Sequence, residues 1–226
     1  MDFKQIKGEC ETVSAHDSAQ EVWNQLFLLA LFRCSEEPLD NLKIQKVVFI
    51  SEDEGRKRGI AAADFKFFRF NLGPYSKAIA NDVRKLEAFG FIDPETRQPT
   101  ERGKYILEYL AEIISESQPA KLSLEILDSV CEQYRSVKSS RLVDIVYDRT
   151  VPVSAYNGTE MKVKDIPACT DIINPVSDGL RTVAEIPTDL LEILQVELSL
   201  TAEDLDPDRP ENVQLARSML NAALAS

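Results

Sequence analysis

Lys77, Asn81, Arg84 and Lys85 recur at three- and four-residue spacing, which sets them along one arc of a helix. Asparagine can read an adenine edge, and arginine or lysine a guanine edge or a phosphate. That arc could therefore recognise nucleic acid, although a solvated helix face carries the same residue types and Asp82 sits on its flank. A second candidate is the run Glu52-Asp53-Glu54. Adjacent carboxylates can hold a metal or do acid–base chemistry. In a chain with 38 acidic residues such runs arise by chance, and a charged helix exit is the simpler reading. Nucleophilic catalysis through a Ser–His or Cys–His pair would have to use His16, the only histidine. It lies in a polar stretch with no recognisable motif. There is no GxGxxG and no GxxxxGK[ST] to cradle a phosphate. The cysteines, at 10, 34, 131 and 169, form no CxxC pair, whereas zinc sites cluster their ligands at short spacing. They read as reduced thiols. No catalytic residue, metal or cofactor is expected, which points to recognition rather than enzymatic activity.

Charge narrows the partner. The net charge is −12, distributed unevenly. Residues 40–110 hold 13 basic and 11 acidic residues, while the rest of the chain holds 13 and 27. A non-specific nucleic-acid binder usually shows the opposite overall sign, because phosphate neutralisation drives its affinity. An acidic surface aids solubility and can complement a basic partner. No apolar run approaches the roughly 20 residues of a membrane span, and the N-terminus lacks an apolar signal core. A cytoplasmic location without membrane contact is the expectation.

The elements that would position these residues are mostly helices. Residues 1–17 are polar and aperiodic and read as a flexible arm. Asp17-Ser18 can cap a helix carrying Val22, Leu26, Leu29 and Phe32, apolar enough for the core centre. Asp40 can cap the next, with Ile44, Val47, Val48 and Ile50 buried. Residues 64–72 read as a short strand or extended turn. Gly73-Pro74 reads as a turn, with Pro74 opening a helix from Tyr75 to Phe89. Ile79, Val83 and Leu86 form the apolar arc of that helix, opposite the basic arc. Gly90 ends it, and residues 91–97 could form a wing. Further helices are expected from Thr100 to Ile114, from Leu122 to Arg135 and from Ser139 to Pro152. Prolines 152, 167, 175 and 187 and glycines 158 and 179 make the following stretch read as irregular.

Three of these pieces carry a family resemblance. LKIQKVVFI at 42–50 resembles the KLQKLLYFA-type signature of the Panacea antitoxin domain, also known from SocA-like and phage-associated proteins. FNLGPYSKAI at 70–79 resembles that family's aromatic–Gly-Pro–helix element. LDSVCEQYRSVKSSRLVDIVYDRTVPVSAY at 127–156 resembles its later block. The chain departs from the pattern where Val153 follows Pro152, since the family often has Pro-Trp there. The signature positions carried over are Lys43, Gln45, Lys46, Phe49, Gly73, Pro74 and Tyr75. The resemblance implies core roles for Phe49 and Tyr75, a turn at Gly73-Pro74 and exposed contacts at Gln45 and Lys46. It implies a non-enzymatic antitoxin or adaptor that binds a protein toxin, or delivers one to a protease.

The expected fold is mainly α, a helical domain with a winged-helix-like element and a small β component, plus a C-terminal helical appendage. The expected divisions are a flexible arm at 1–17, a Panacea-like domain at 18–156, an irregular linker at 157–187 and an acidic helical tail at 188–226. The partner-binding candidates are Gln45, Lys46, Lys77, Asn81, Arg84 and Lys85. The alternative function is a winged-helix regulator binding DNA through the 75–89 helix; an enzyme of unrecognised type is a third. The last residues, Ala222 to Ser226, resemble a C-terminal degradation tag, though an Ala-rich helix end looks the same.

Overall fold

The computed structural model describes residues 3–35, 37–175 and 186–199, with side chains described from residue 19 onward apart from Glu112 and Ser115. The fold is mainly α with a small β component. At its centre runs α1, Phe3–Cys34. This helix starts well before the expected cap at Asp17-Ser18, so the arm expected at 1–17 is helical from Phe3. Trp23, Leu26, Phe27, Leu28, Leu29 and Phe32 are all buried. A helix apolar on every side must be covered on every side. Packed against α1 are α3 (Lys77–Ala88), α4 (Glu101–Glu108), α6 (Gln118–Tyr134) and α8 (Thr188–Ser199).

Asp40 caps α2 (Asn41–Lys57), its Oδ1 accepting the Lys43 N–H at 2.7 Å. Ile44, Val47, Val48 and Ile50 are buried as their spacing predicts. Val22, Leu26, Leu29, Ile79, Val83 and Leu86 join them in one core. The charged exit of α2 departs from expectation. Glu52 and Asp53 are fully buried rather than solvated. Arg149 donates to Asp53 Oδ2 at 2.8 Å and also to Glu54, and Lys57 Nζ lies 2.9 Å from Asp53. Asp53 and Glu54 thus tie α2 to the end of α7 (Ser139–Asp148), while Glu52 accepts backbone N–H groups of residues 62–65.

β1 (Phe67–Phe70) and β2 (Gly73–Tyr75) form a hairpin. Pro74 therefore lies in a strand, not at the start of α3, and Ser76 is the N-cap. β2 is an edge strand, where proline's missing N–H leaves no ladder bond unmade. After α3, Gly90 takes a φ of +70° and a single antiparallel bridge, Ile92 to Pro99, closes the wing-like turn. The helix expected from Thr100 to Ile114 breaks at Tyr109 into α4 and α5 (Leu110–Glu116).

The expected linker is the largest difference. Residues 150–175 form a hairpin of β3 (Thr150–Val153) and β4 (Thr159–Lys162), followed by β5 (Asp171–Ile173). β5 pairs antiparallel with β1, completing a three-stranded sheet of order β2-β1-β5. Ile172 and Ile173 are fully buried. α8 also docks on the body, with Leu190, Leu191, Leu194 and Leu198 buried and Arg102 donating to the Glu197 carbonyl at 2.6 Å. The second tail helix and the degradation-tag ending lie outside the described residues.

Candidate functional site

Three elements converge on one groove. α2 supplies one wall, α3 the other, and the β1–β2 hairpin closes it. Its volume is about 500 Å³. The two walls are joined through Gln45, whose side chain works as a two-way clamp. Its Nε2 donates to the Ser76 carbonyl at 2.9 Å, and its Oε1 accepts the Ser76 N–H at 2.8 Å. Ser76 is the N-cap of α3, so the clamp fixes where α3 starts relative to α2. One residue on, Lys46 Nζ donates to the Pro74 carbonyl at 2.7 Å. Both side chains are therefore buried, Lys46 at 2% exposure. This corrects the expectation that they stand exposed on the helix. Their polar ends are satisfied by backbone from a segment about 30 residues away, which local periodicity does not register.

Lys46 has no carboxylate partner among the described residues. Burial, with a smaller contribution from the Arg69 charge, pushes its pKa down to about 8. Gly73 lies against it. A Cβ there would sit 3.5 Å from Lys46 Nζ and 3.4 Å from the Tyr147 ring. Gly73 also has a φ of +94°, which L-residues rarely adopt. Gly73→Ala is expected to lower stability by about 1–2 kcal/mol through backbone strain alone. Urea unfolding measures this; an unchanged midpoint would show that the hairpin relaxes at no cost.

The lip of the groove is apolar. Phe70 and Leu72 are 47% and 55% exposed, while Tyr75 is half-buried instead of being a core residue. The Phe70 and Tyr75 rings lie 5.7 Å apart. Neither Phe70 nor Leu72 is marked by helical spacing. The run FKFFRFNL hints at them only as a strand, whose alternate residues face opposite ways. Tyr147 steadies the hairpin tip from below, its hydroxyl donating to the Asn71 carbonyl at 2.7 Å. Segments 42–50, 70–79 and 127–156 thus pack against one another: α2 meets the hairpin through Lys46 and the cap of α3 through Gln45, and α7 meets the hairpin through Tyr147.

The remaining sequence candidates divide. Arg84 is exposed and lines the groove. Lys77 and Asn81 are exposed on α3 outside its lining. Lys85 turns toward α1, its ammonium 2.5 Å from Glu21 there and 3.8 Å from Asp82 on its own helix. The bond to Glu21 raises its pKa, and burial raises that of Asp82 to about 6. Arg97, which sequence reasoning missed, reaches the groove from the wing-like turn. It pairs with Glu87 at 3.0 Å and donates to Asn41 at 3.2 Å. Among the described residues, no group of three or more His, Cys, Asp or Glu side chains is placed to hold a metal ion. No described helix is long and apolar enough to cross a membrane. No family model, curated protein or solved structure matches the chain.

Proposed function

We propose that this chain is a cytoplasmic, non-enzymatic antitoxin or adaptor that binds a protein partner in the groove between α2, the β1–β2 hairpin and α3. The observation that carries this reading is the exposure of Phe70 and Leu72 at the lip of a formed groove. Large apolar side chains held out on a short, well-tied hairpin lose free energy to water and recover it on docking, roughly 1.5–3 kcal/mol for each one fully buried. The motif resemblance supports the antitoxin class of partner: its three segments build and brace this groove. A toxin, or a protease to which a toxin is delivered, is the partner that class implies.

The test uses the product of the reading frame beside the gene. Expressed alone it should arrest growth, and the wild-type chain should relieve the arrest. Phe70→Asp/Leu72→Asp should not, with binding weakened about a hundredfold or more. Both positions are surface-exposed, so the variant should melt within a few degrees of wild type. Full protection by the double variant would rule the groove out.

One observation favours the DNA-binding alternative: Lys77, Asn81 and Arg84 are exposed together on α3. Against it, Lys85 is engaged by Glu21, Arg97 by Glu87, and the chain is acidic overall. A gel-shift titration against the chain's own promoter separates the two. Tight, salt-sensitive binding, lost on charge reversal at Lys77, Arg84 and Lys85, would put the regulator reading first.

A further inference from the structure

The charged side chains lining the groove are three cations, Lys46, Arg84 and Arg97, and one carboxylate, Glu87. Glu87 is already bound to Arg97. Lys46 and Arg84 therefore remain as two positive charges without a carboxylate among the described residues. This surplus lies in a chain of net charge −12, so the groove opposes the sign of the protein around it. The two charges differ in setting. Lys46 is all but closed off from solvent and makes one hydrogen bond, to the Pro74 carbonyl, although an ammonium carries three protons. Arg84 is exposed on the α3 wall, with all the guanidinium's directional capacity toward whatever enters. Next to both is the aromatic and aliphatic lip of Phe70, Leu72 and Tyr75.

We infer that the groove selects an acidic–apolar segment of its protein partner, with a carboxylate of that segment seated on Lys46 and Arg84 and an adjacent large apolar side chain packed on Phe70, Leu72 and Tyr75. This rests on the protein-binding reading above and adds the chemistry of the bound segment. A buried ammonium that lacks a counter-charge is costly in the free protein. A carboxylate brought in by the partner supplies that counter-charge in a site from which the partner also excludes water, where the attraction is strongest. Gly73 lies against this ammonium, a Cβ there falling 3.5 Å from Nζ. A basic or purely apolar segment would leave Lys46 as it is and gain nothing from Arg84.

The inference is tested with a display library of random 12-residue peptides selected on the immobilised full chain. Enriched peptides should carry Asp or Glu beside Leu, Ile, Phe or Trp. Binding of an enriched peptide should fall at least about tenfold when its acid is changed to the corresponding amide. Lys46→Met should lose the preference for acids while still enriching apolar residues. Arg84→Gln, at an exposed position, should weaken it by a smaller factor, and serves if Lys46→Met does not fold. Phe70→Asp/Leu72→Asp should enrich nothing. Enriched peptides without an acid preference, or an acid preference unchanged in both Lys46→Met and Arg84→Gln, would overturn the inference while leaving the groove as a docking site. Enrichment that survives Phe70→Asp/Leu72→Asp, or no enrichment by the wild type, would overturn the groove together with it.

Discussion

Glu52→Gln should destabilise the protein by about 2–4 kcal/mol at pH 5, and by much less at pH 8. The carboxyl group of Glu52 is fully buried and closes the loop after α2. Its Oε1 accepts the N–H groups of Ala63 and Phe65 at 3.2 and 3.1 Å, and Oε2 accepts that of Ala62 at 3.0 Å. This loop in turn holds the core: Ala62 offers its carbonyl to Trp23 Nε1 at 3.0 Å and to Ser123. An amide keeps one acceptor oxygen but presents an NH₂, which cannot accept, to one of these donors, so at least one buried N–H loses its partner; the hydroxyl oxygen of the protonated acid present at pH 5 can still accept it. The pH term follows from burial, which outweighs the three N–H bonds and raises the pKa of Glu52 to about 7. The raised pKa fixes the sign. Stability from the protonated acid is fully present below the ordinary value of 4.5 and is lost as pH rises through about 7. Between pH 5 and pH 8 the wild type should lose about 2–3 kcal/mol from this group, a loss the amide cannot share. Asp82, whose pKa is also raised, contributes a loss of the same sign in both proteins, so the difference between them isolates Glu52. Urea unfolding of both at the two pH values makes the comparison. A stability gap that does not shrink on going to pH 8 would mean that Glu52 is ionised throughout.

Glu52 also shows where sequence reading stopped. Apolar residues at helical spacing marked the helices and their buried faces, because burial of those side chains depends mainly on which way each helix turns. Ile44, Val47, Ile79 and Val83 were legible for that reason. Polar residues in the same helices were not. Gln45, Lys46, Glu52 and Asp53 look like a solvated face in a periodicity plot. They are buried because backbone groups or an arginine from distant segments meet them: Ser76, Pro74, the 62–65 loop and Arg149. Nothing local to α2 announces those partners. β5 was hidden for a related reason. Three residues in a proline-containing stretch carry little periodic signal, and their strand character comes from pairing with β1 about 100 residues earlier. The groove inherits both gaps. One wall rests on a clamp between α2 and Ser76, and the exposed lip depends on how a four-residue strand folds back. The motif resemblance implied that Gln45 and Lys46 stand exposed, whereas both are buried.

Gly103→Ala should cost about 3 kcal/mol or more, against the sign that helix propensity alone would give. Gly103 lies in the first turn of α4, with helical backbone geometry, where alanine is favoured over glycine by roughly 1 kcal/mol in an exposed helix. The surroundings reverse this. A Cβ at Gly103 would fall 2.1 Å from the carbonyl oxygen of Phe91 and 3.1 Å from its carbonyl carbon, with a Leu29 methyl at 3.3 Å. The obstacle is backbone, and that backbone is held in place. The Phe91 oxygen accepts the Thr100 N–H at 3.0 Å, while Thr100 caps α4 by accepting the Gly103 N–H at 3.2 Å. Arg102, next in the turn, lies over the Phe91 ring and donates to the Phe89 carbonyl at 2.7 Å. The overlap can be relieved only by pulling α4 off α1 or by displacing the wing-like turn from α4, and either gives up several of these bonds. The second route also reaches the groove, because Arg97, which pairs with Glu87 on its wall, is carried by that turn. Unfolding midpoints of wild type and Gly103→Ala test the packing. A midpoint unchanged or raised by the alanine would mean that α4 and Phe91 are not in close contact, and that the turn bearing Arg97 is not anchored there.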